Sequence, residues 1–546
     1  MNQESSEQAR ANVARHAGIV SLAVMTSRVL GLVRDQVFAI FFGAGLQYDA
    51  FLTAFRIPNL LRDLFAEGAL SSAFVTTFSQ TLETRGKAAA VQLFHRVATL
   101  IVLVIALISI AAWWYAPTIV HILAPGFFAI PGKAELTITL TRVMIPFLLM
   151  VALAAQAMGV LNAVNVFGVP ALASAFFNIG SIVGGLGLGF VLGPYIGLSP
   201  IAGMACGTLL GGFLQLAVQW PSLWRAGFRY RPAFQFSDPG VRQVIGLMGP
   251  AVIGTAAVQI NVFVNTNFAS AIVDPATGAV MNGPVSWLNY AFRFMQFPIG
   301  VFGVAVATAA LPQLSRSTAR DDHDDFRKTL THALVLIFVL CIPSALGLAI
   351  LGKPIVALIF EHGKFTAFDT VQSGNALAAY AVGLAGYAAV KVLSPAFYAL
   401  GDARTPMLIS LGSIVVNYVM NSLLVQRFGH VGLALSTSAV ALVNFLLLAI
   451  LLRRRLRHLG GGELLAKGLR IVAASVVMGV VAWLASTALG ELALPRLAAR
   501  LVQVLGAIGL ATVAFYFSCR ALKISELDEA AQAIGGRVLR RLKRKK

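Results

Sequence analysis

Residues 91–115 read VQLFHRVATLIVLVIALISIAAWWY, and after Arg96 the run holds no charged side chain. A helix rises about 1.5 Å per residue, so about 20 apolar residues cross a hydrocarbon core about 30 Å thick. Runs of this kind recur along the chain. About fourteen candidates lie near 17–41, 49–82, 91–115, 137–161, 168–192, 201–224, 241–272, 284–312, 328–351, 372–400, 405–426, 430–452, 468–490 and 498–519. The second is long and polar in its middle, and Pro58 marks the expected break or bend. Segments 116–136 and 352–371 read as short interfacial pieces.

Composition agrees. The 546 residues are 58% hydrophobic and 12% charged, with a mean hydropathy of +0.81. Soluble domains carry about 25% charged residues. The expected fold class is therefore an all-α polytopic membrane protein, with the bilayer as solvent for most of its surface. A net charge of +20 invites a nucleic-acid reading. The placement of the cations argues against it, because they fall in short loops between apolar runs and in the tail Arg537–Lys546. With the N-terminus inside, 29 Lys and Arg fall in inner segments, 6 in outer segments and seven within spans. That asymmetry orients the chain with both termini cytoplasmic. Residues 1–16 are polar and precede no convincing cut site, so the first apolar run is expected to be a retained helix.

Two stretches resemble each other. Val160–Asn178 (VLNAVNVFGVPALASAFFN) and the segment from Tyr398 (YALGDARTPMLISLGSIVVN) each end a helix, turn, and restart at a proline. Pro170 and Pro406 stand 236 positions apart. Six expected spans separate the copies, which makes the repeat parallel; transporters of this build place their substrate between the halves. The expected organisation is a cytoplasmic N-terminus (1–16), an N-lobe (17–224), a linker (225–240) and a C-lobe (241–452). A basic loop (453–467), two further helices (468–519) and a basic tail (520–546) complete it.

Charges within spans carry the functional signal. They are Arg28, Arg34, Arg56, Arg62, Arg142, Arg293 and Lys391, against Asp35, Asp63 and Glu67, with Asp49 at a helix start. An Arg or Lys at mid-bilayer costs roughly 2.5–3.5 kcal/mol, so each needs a partner or water. Two readings compete. Arg34–Asp35 and Arg62–Asp63 can be structural ion pairs, and Arg56 and Arg142 can snorkel. Alternatively, the excess of arginines forms a receptor for phosphate oxygens, which the guanidinium fork matches while staying charged.

Other chemistries lack their motifs. There is no phosphate-loop consensus, no HExxH and no CxxC. Cys206, Cys341 and Cys519 lie in apolar stretches without metal-like spacing and read as small packing residues. Gly180–Gly189 reads as close helix packing rather than a nucleotide loop. Asp321–Asp325, flanked by Arg and Lys, reads as a solvated linker rather than a metal cluster. No metal, cofactor or catalytic constellation is expected.

SRVLGLVRD (27–35), FGAGLQYDAF (42–51), RIPNLLRDLFAEGALSSAFV (56–75), NYAFRFMQFPIGVFGVAVATAALP (289–312) and FYALGDARTP (397–406) resemble the MurJ (MviN) family of the MOP superfamily of flippases and exporters. The resemblance spans about residues 17–520 and implies fourteen helices, two six-helix lobes plus two. It implies a flippase for lipid II, the undecaprenyl-pyrophosphate-linked peptidoglycan precursor, in the bacterial inner membrane beside the cell-wall synthesis machinery. It fixes no oligomeric state. Arg28, Arg34, Arg62 and Arg293 match the family's cavity arginines. Ser27, Asp35, Asp49 and Glu67 match supporting positions, and the last two helices match a groove for the lipid tail. Thr76, Phe292 and Gln296 depart from the pattern. The seventh and eleventh spans hold none of the acids proposed to bind sodium in some members. Three alternatives remain: an organic-cation or drug antiporter of the same superfamily, which needs buried acids; a flippase for another polyprenyl-phosphate-linked lipid; and an enzyme acting on a lipid phosphate, for which no acid–base pair is found.

Overall fold

The computed structural model describes residues 3–64, 71–456, 461–524 and 526–527. Glu67 and the tail residues 528–546 therefore lie outside the described residues. The chain divides into two compact units, Met1–Val285 and Ser286–Lys546.

The first unit carries α1 (Gln3–Phe42), α2 (Leu46–Leu61), α3 (Ser71–Trp114), α4 (Ala116–Leu123), α5 (Lys133–Met144), α6 (Phe147–Ala163), α7 (Gly168–Leu186), α8 (Gly193–Ile196), α9 (Pro200–Ala217), α10 (Trp220–Arg225) and α11 (Pro239–Ser270). The second carries α12 (Pro284–Pro298), whose first residues precede the division, α13 (Val304–Ala319), α14 (His323–Phe360) and α15 (Ala367–Ala381). It continues with α16 (Leu384–Ala399), α17 (Arg404–Arg455), α18 (Gly461–Gly490) and α19 (Arg496–Ala521).

Nine helices among the described residues are long and apolar enough to cross a membrane, or ten if the bent pair α15 and α16 is one span. The sequence suggested about fourteen, and the difference has identifiable sources. Arg404–Arg455 covers two expected spans, with Gly429 (φ 55°) breaking the helix between them. α2, at 16 residues, is short, and α1 and α11 carry polar side chains along expected spans. α2 continues unbroken through Pro58 and ends at Leu61; a π-helical turn follows over 62–64. One expectation is corrected. α14 extends to Phe360 with Pro343 and Pro354 inside it, so most of the first half of 352–371 is helix. The break between the expected second and third spans falls at Gly86 (φ 78°) inside α3.

The repeated turn has the same hydrogen bonds in both copies. Before α7, the Val166 N–H donates to Leu161 O at 2.8 Å and the Asn165 N–H to Asn162 O at 3.1 Å. Before α17, the Asp402 N–H donates to Phe397 O at 2.9 Å and the Gly401 N–H to Tyr398 O at 3.0 Å. Asn165 (φ 62°) and Gly401 (φ 74°) occupy the left-handed conformation that ends each helix. Every pair of equivalent residues stands 236 positions apart, so the likeness extends from letters to backbone geometry.

Close helix packing follows from small residues. A Cβ on Gly207 of α9 would lie 2.2 Å from the Gly185 nitrogen of α7. A Cβ on Gly203 would lie 2.2 Å from the Gly189 Cα. The glycine run thus meets a second one at helix spacing, the small-residue contact of membrane helices. Cys341 and Cys519 are buried and Cys206 is half-buried, all as free thiols. Asp322 caps α14 by accepting the Asp325 N–H at 2.9 Å, so that acidic stretch starts a helix rather than merely linking two.

The segment between α10 and α11 is strapped onto α3. Phe228 is buried against Phe78 and Phe94, with ring centroids 5.6 and 5.9 Å away. Arg96 reaches Asp238 at 2.6 Å, and the Ala233 N–H donates to Thr99 Oγ1 at 3.0 Å. In the second unit, Glu361 ties α14 to α19. Its Oε1 accepts from Arg496 at 2.8 Å and Arg500 at 2.5 Å, and its Oε2 accepts from Thr370 at 2.6 Å. Burial alone would raise the Glu361 pKa, but these hydrogen bonds and the Arg500 charge outweigh it and hold the group below its ordinary value. A depressed folded pKa stabilises above the unfolded value and loses that contribution as pH falls through the folded value. The thermal midpoint of purified protein is therefore expected to fall as pH drops below the ordinary glutamate range. Glu361→Gln is expected to lower the neutral midpoint and flatten that acid limb; an unchanged limb would remove Glu361 from the effect.

Candidate functional site

Four of the expected residues come from one stretch of α1. Gly31 opens a contact with α7, and Asn178 of α7 donates to the Ser27 carbonyl at 3.2 Å. Along the same side, the Arg34 guanidinium lies 5.5 Å from the Phe177 ring centroid. Arg34 Nη2 also stands 3.3 Å from Asp35 Oδ1, and Asp35 is buried. Arg28 is different: it is exposed, and among the described residues it makes no hydrogen bond or ion pair.

α2 contributes the next group. Asp49 begins it, fully buried, and meets the equally buried Lys133 of α5 at 2.8 Å. Asp49 Oδ2 also accepts the Gly283 N–H at 2.7 Å, while Lys133 donates to Asn282 Oδ1 at 2.8 Å. The Lys133 ammonium lies 4.1 Å from the Phe127 ring centroid. This cluster fastens α2, α5 and the connection after α11. Directly after α2, Arg62 Nε and Nη2 donate to Asp63 Oδ1 at 3.1 and 2.9 Å. Asp63 Oδ2 accepts from Gln259 of α11 at 3.2 Å. Arg56 donates to Thr266, also on α11.

In the second unit Arg293 sits half-buried on α12. Its helix is fixed by Trp287, whose Nε1–H donates to Asp369 Oδ1 at 2.8 Å. Asp369 also completes the capping box of α15 with Thr366. Tyr290 packs against Phe360 and Phe365, with centroids 4.6 and 5.1 Å away. A buried aromatic face thus sets the helix that carries Arg293. Lys391 is exposed on α16. Arg142 is satisfied at the end of α5 by the Trp113 carbonyl at 3.3 Å and ring at 4.9 Å.

Arg34 and Arg62 each face a neighbouring carboxylate, the contact that the ion-pair reading of the sequence names. One point differs from the sequence picture. Lys133, counted among outer-loop cations, is wholly buried. Sequence reasoning missed Lys133, Gln259 and Thr266 as partners. The Pro-Gly before Lys133 looks like an outer turn, and the other two partners lie 196 and 210 residues from the groups they bind. The polar face of α11, with Gln259, Asn261, Asn265 and Asn267, was the available signal.

Apolar helices in series, carrying cations along their length, define a polytopic membrane protein of the transporter class. Residues 38–502 match the family model described as lipid II flippase MurJ. The lipid II flippase MurJ of Burkholderia cenocepacia is 35% identical over 479 residues, covering 87% of this chain and 90% of that protein. A probable lipid II flippase MurJ of Buchnera aphidicola is 33% identical over 436 residues, covering 80% and 83%. A solved lipid II flippase MurJ in an inward closed conformation aligns with a TM-score of 0.75 at 27% identity, covering 92% of this chain and 99% of that one. An inward-facing multidrug-resistance MATE transporter of the MOP superfamily aligns at 0.65 with 15% identity, covering 81% and 98%, a likeness of fold alone. The chain belongs to the MurJ family of lipid II flippases.

Proposed function

We propose that this chain moves lipid II from the cytoplasmic to the periplasmic leaflet of a bacterial inner membrane by alternating access, with both termini cytoplasmic. It would act between the enzymes that build this precursor and those that polymerise it. The observation that carries the proposal is Arg28. A guanidinium on an expected span stays charged, and here it is exposed and unpaired among the described residues. An anionic head group in a hydrated cavity supplies the missing counter-charge. Arg34 keeps donors beyond the one used on Asp35, since a guanidinium has five N–H groups. Arg34, Arg62 and Arg293 serve as further phosphate ligands. Ser27, Asp35, Asp49 and Glu67 support them, and α18 with α19 holds the lipid tail. No step requires a covalent intermediate or cofactor.

The antiporter alternative draws less support. Cation coupling needs uncompensated acids within spans, yet Asp35, Asp49 and Asp63 each face a cation. In cells depleted of their own flippase, the wild-type chain is expected to clear lipid II that accumulates in the inner leaflet. Arg28→Ala, expressed to the same level, is expected to leave at least tenfold more of it there. Full clearance by Arg28→Ala would remove this side chain from the mechanism.

A further inference from the structure

Asp63 occupies the place on Arg62 that a phosphate oxygen would take. Its Oδ1 accepts two of the five guanidinium N–H groups. Its Oδ2 is held from the other side by Gln259 of α11. The neighbouring bond between α2 and α11, Arg56 to Thr266, lies seven residues back on α2 and seven forward on α11. Two polar links at matching two-turn spacing thus fix the seam on which Asp63 sits. Both members of the Arg62–Asp63 pair are half-buried, with 25% and 35% of their side-chain surfaces exposed. The pair is therefore open to an incoming anion.

We propose that Asp63 is a resident competitor anion: it occupies Arg62 when no substrate is bound and yields it to a lipid diphosphate. This rests on the flippase reading above. A carrier must bind its cargo strongly enough to capture it and weakly enough to let it go. A carboxylate that reclaims Arg62 lowers affinity and speeds release. Gln259 is a positioning residue that aims the carboxylate. It leaves Oδ1 to Arg62 by engaging only Oδ2.

The test uses full-length protein in lipid nanodiscs and lipid II labelled on its peptide, with affinity read by fluorescence anisotropy. Asp63→Asn preserves shape and removes the charge, and Asp63→Ala is the second variant should the first fold poorly. Either is expected to bind the labelled lipid about 1.5- to fivefold more tightly, the range expected for releasing a partly exposed ion pair. On an Arg62→Ala background the gain is expected to vanish, as coupled residues require. Reconstituted in liposomes, Asp63→Asn is expected to flip more slowly despite binding better. A purely structural lesion would weaken binding and flipping together. Unchanged or weaker binding in the Asp63 variants, or an equal gain without Arg62, overturns the proposal while leaving the flippase reading intact. Wild-type protein that binds no lipid II sinks that reading, and this proposal with it.

Discussion

Lys133→Met is expected to destabilise the protein by about 3–5 kcal/mol, the usual consequence of leaving one member of a buried ion pair alone. Both Lys133 and Asp49 have no exposed side-chain surface. Methionine is unbranched like lysine and one heavy atom shorter, but supplies no charge and no donor. The Asp49 carboxylate would then keep the Gly283 N–H at 2.7 Å and lose its counter-ion. Asn282 would lose the donor now 2.8 Å from its Oδ1. Removing both charges together behaves differently, because an apolar pair of similar volume often replaces a buried ion pair without loss. Asp49→Leu with Lys133→Met is therefore expected to recover most of the stability lost by Lys133→Met alone. Unfolding of the purified variants in detergent measures both. A loss below about 1 kcal/mol for Lys133→Met would be that of an exposed pair and would contradict full burial.

The second large effect is steric. Gly207→Ala places a methyl 2.2 Å from the Gly185 nitrogen and 2.4 Å from its Cα. The obstacle is backbone, so no side-chain rotation relieves it, and α7 and α9 must separate. Overpacking a close-packed contact costs typically about 1–3 kcal/mol, and this site belongs at or above the upper end. Gly187→Ala is the internal control, since no atom lies within 4 Å of the Cβ it would add. Its effect on the thermal midpoint is expected to be small. Helix propensity favours alanine at both positions, so comparable losses for the two variants would contradict the helix seam as the cause.

These two positions show what the sequence made legible. The glycine run 180–189 indicated a close helix contact because only small residues permit one, although its partner on α9 emerged from the coordinates. The apolar spans were legible because the bilayer demands uninterrupted runs. Helix breaks were less so. Gly86 and Gly429 break helices through positive φ, whereas Pro58 is accommodated within α2. Lys133 was illegible for a physical reason: a lysine after Pro-Gly normally stays in water, and only a buried carboxylate 84 residues earlier makes its burial tolerable. The arginines were visible as unusual charges. Their compensation depended on side-chain rotamers, which placed carboxylates against Arg34 and Arg62 but left Arg28 without a partner among the described residues.

Reconstitution isolates the role of that arginine from everything else in a cell. With labelled lipid II initially in one leaflet of a liposome, wild-type protein is expected to bring it to the other. Arg28→Ala, folded to the same thermal midpoint, is expected to lower the rate at least tenfold. Equal transfer by the two proteins would mean that the exposed guanidinium of α1 does not carry the diphosphate.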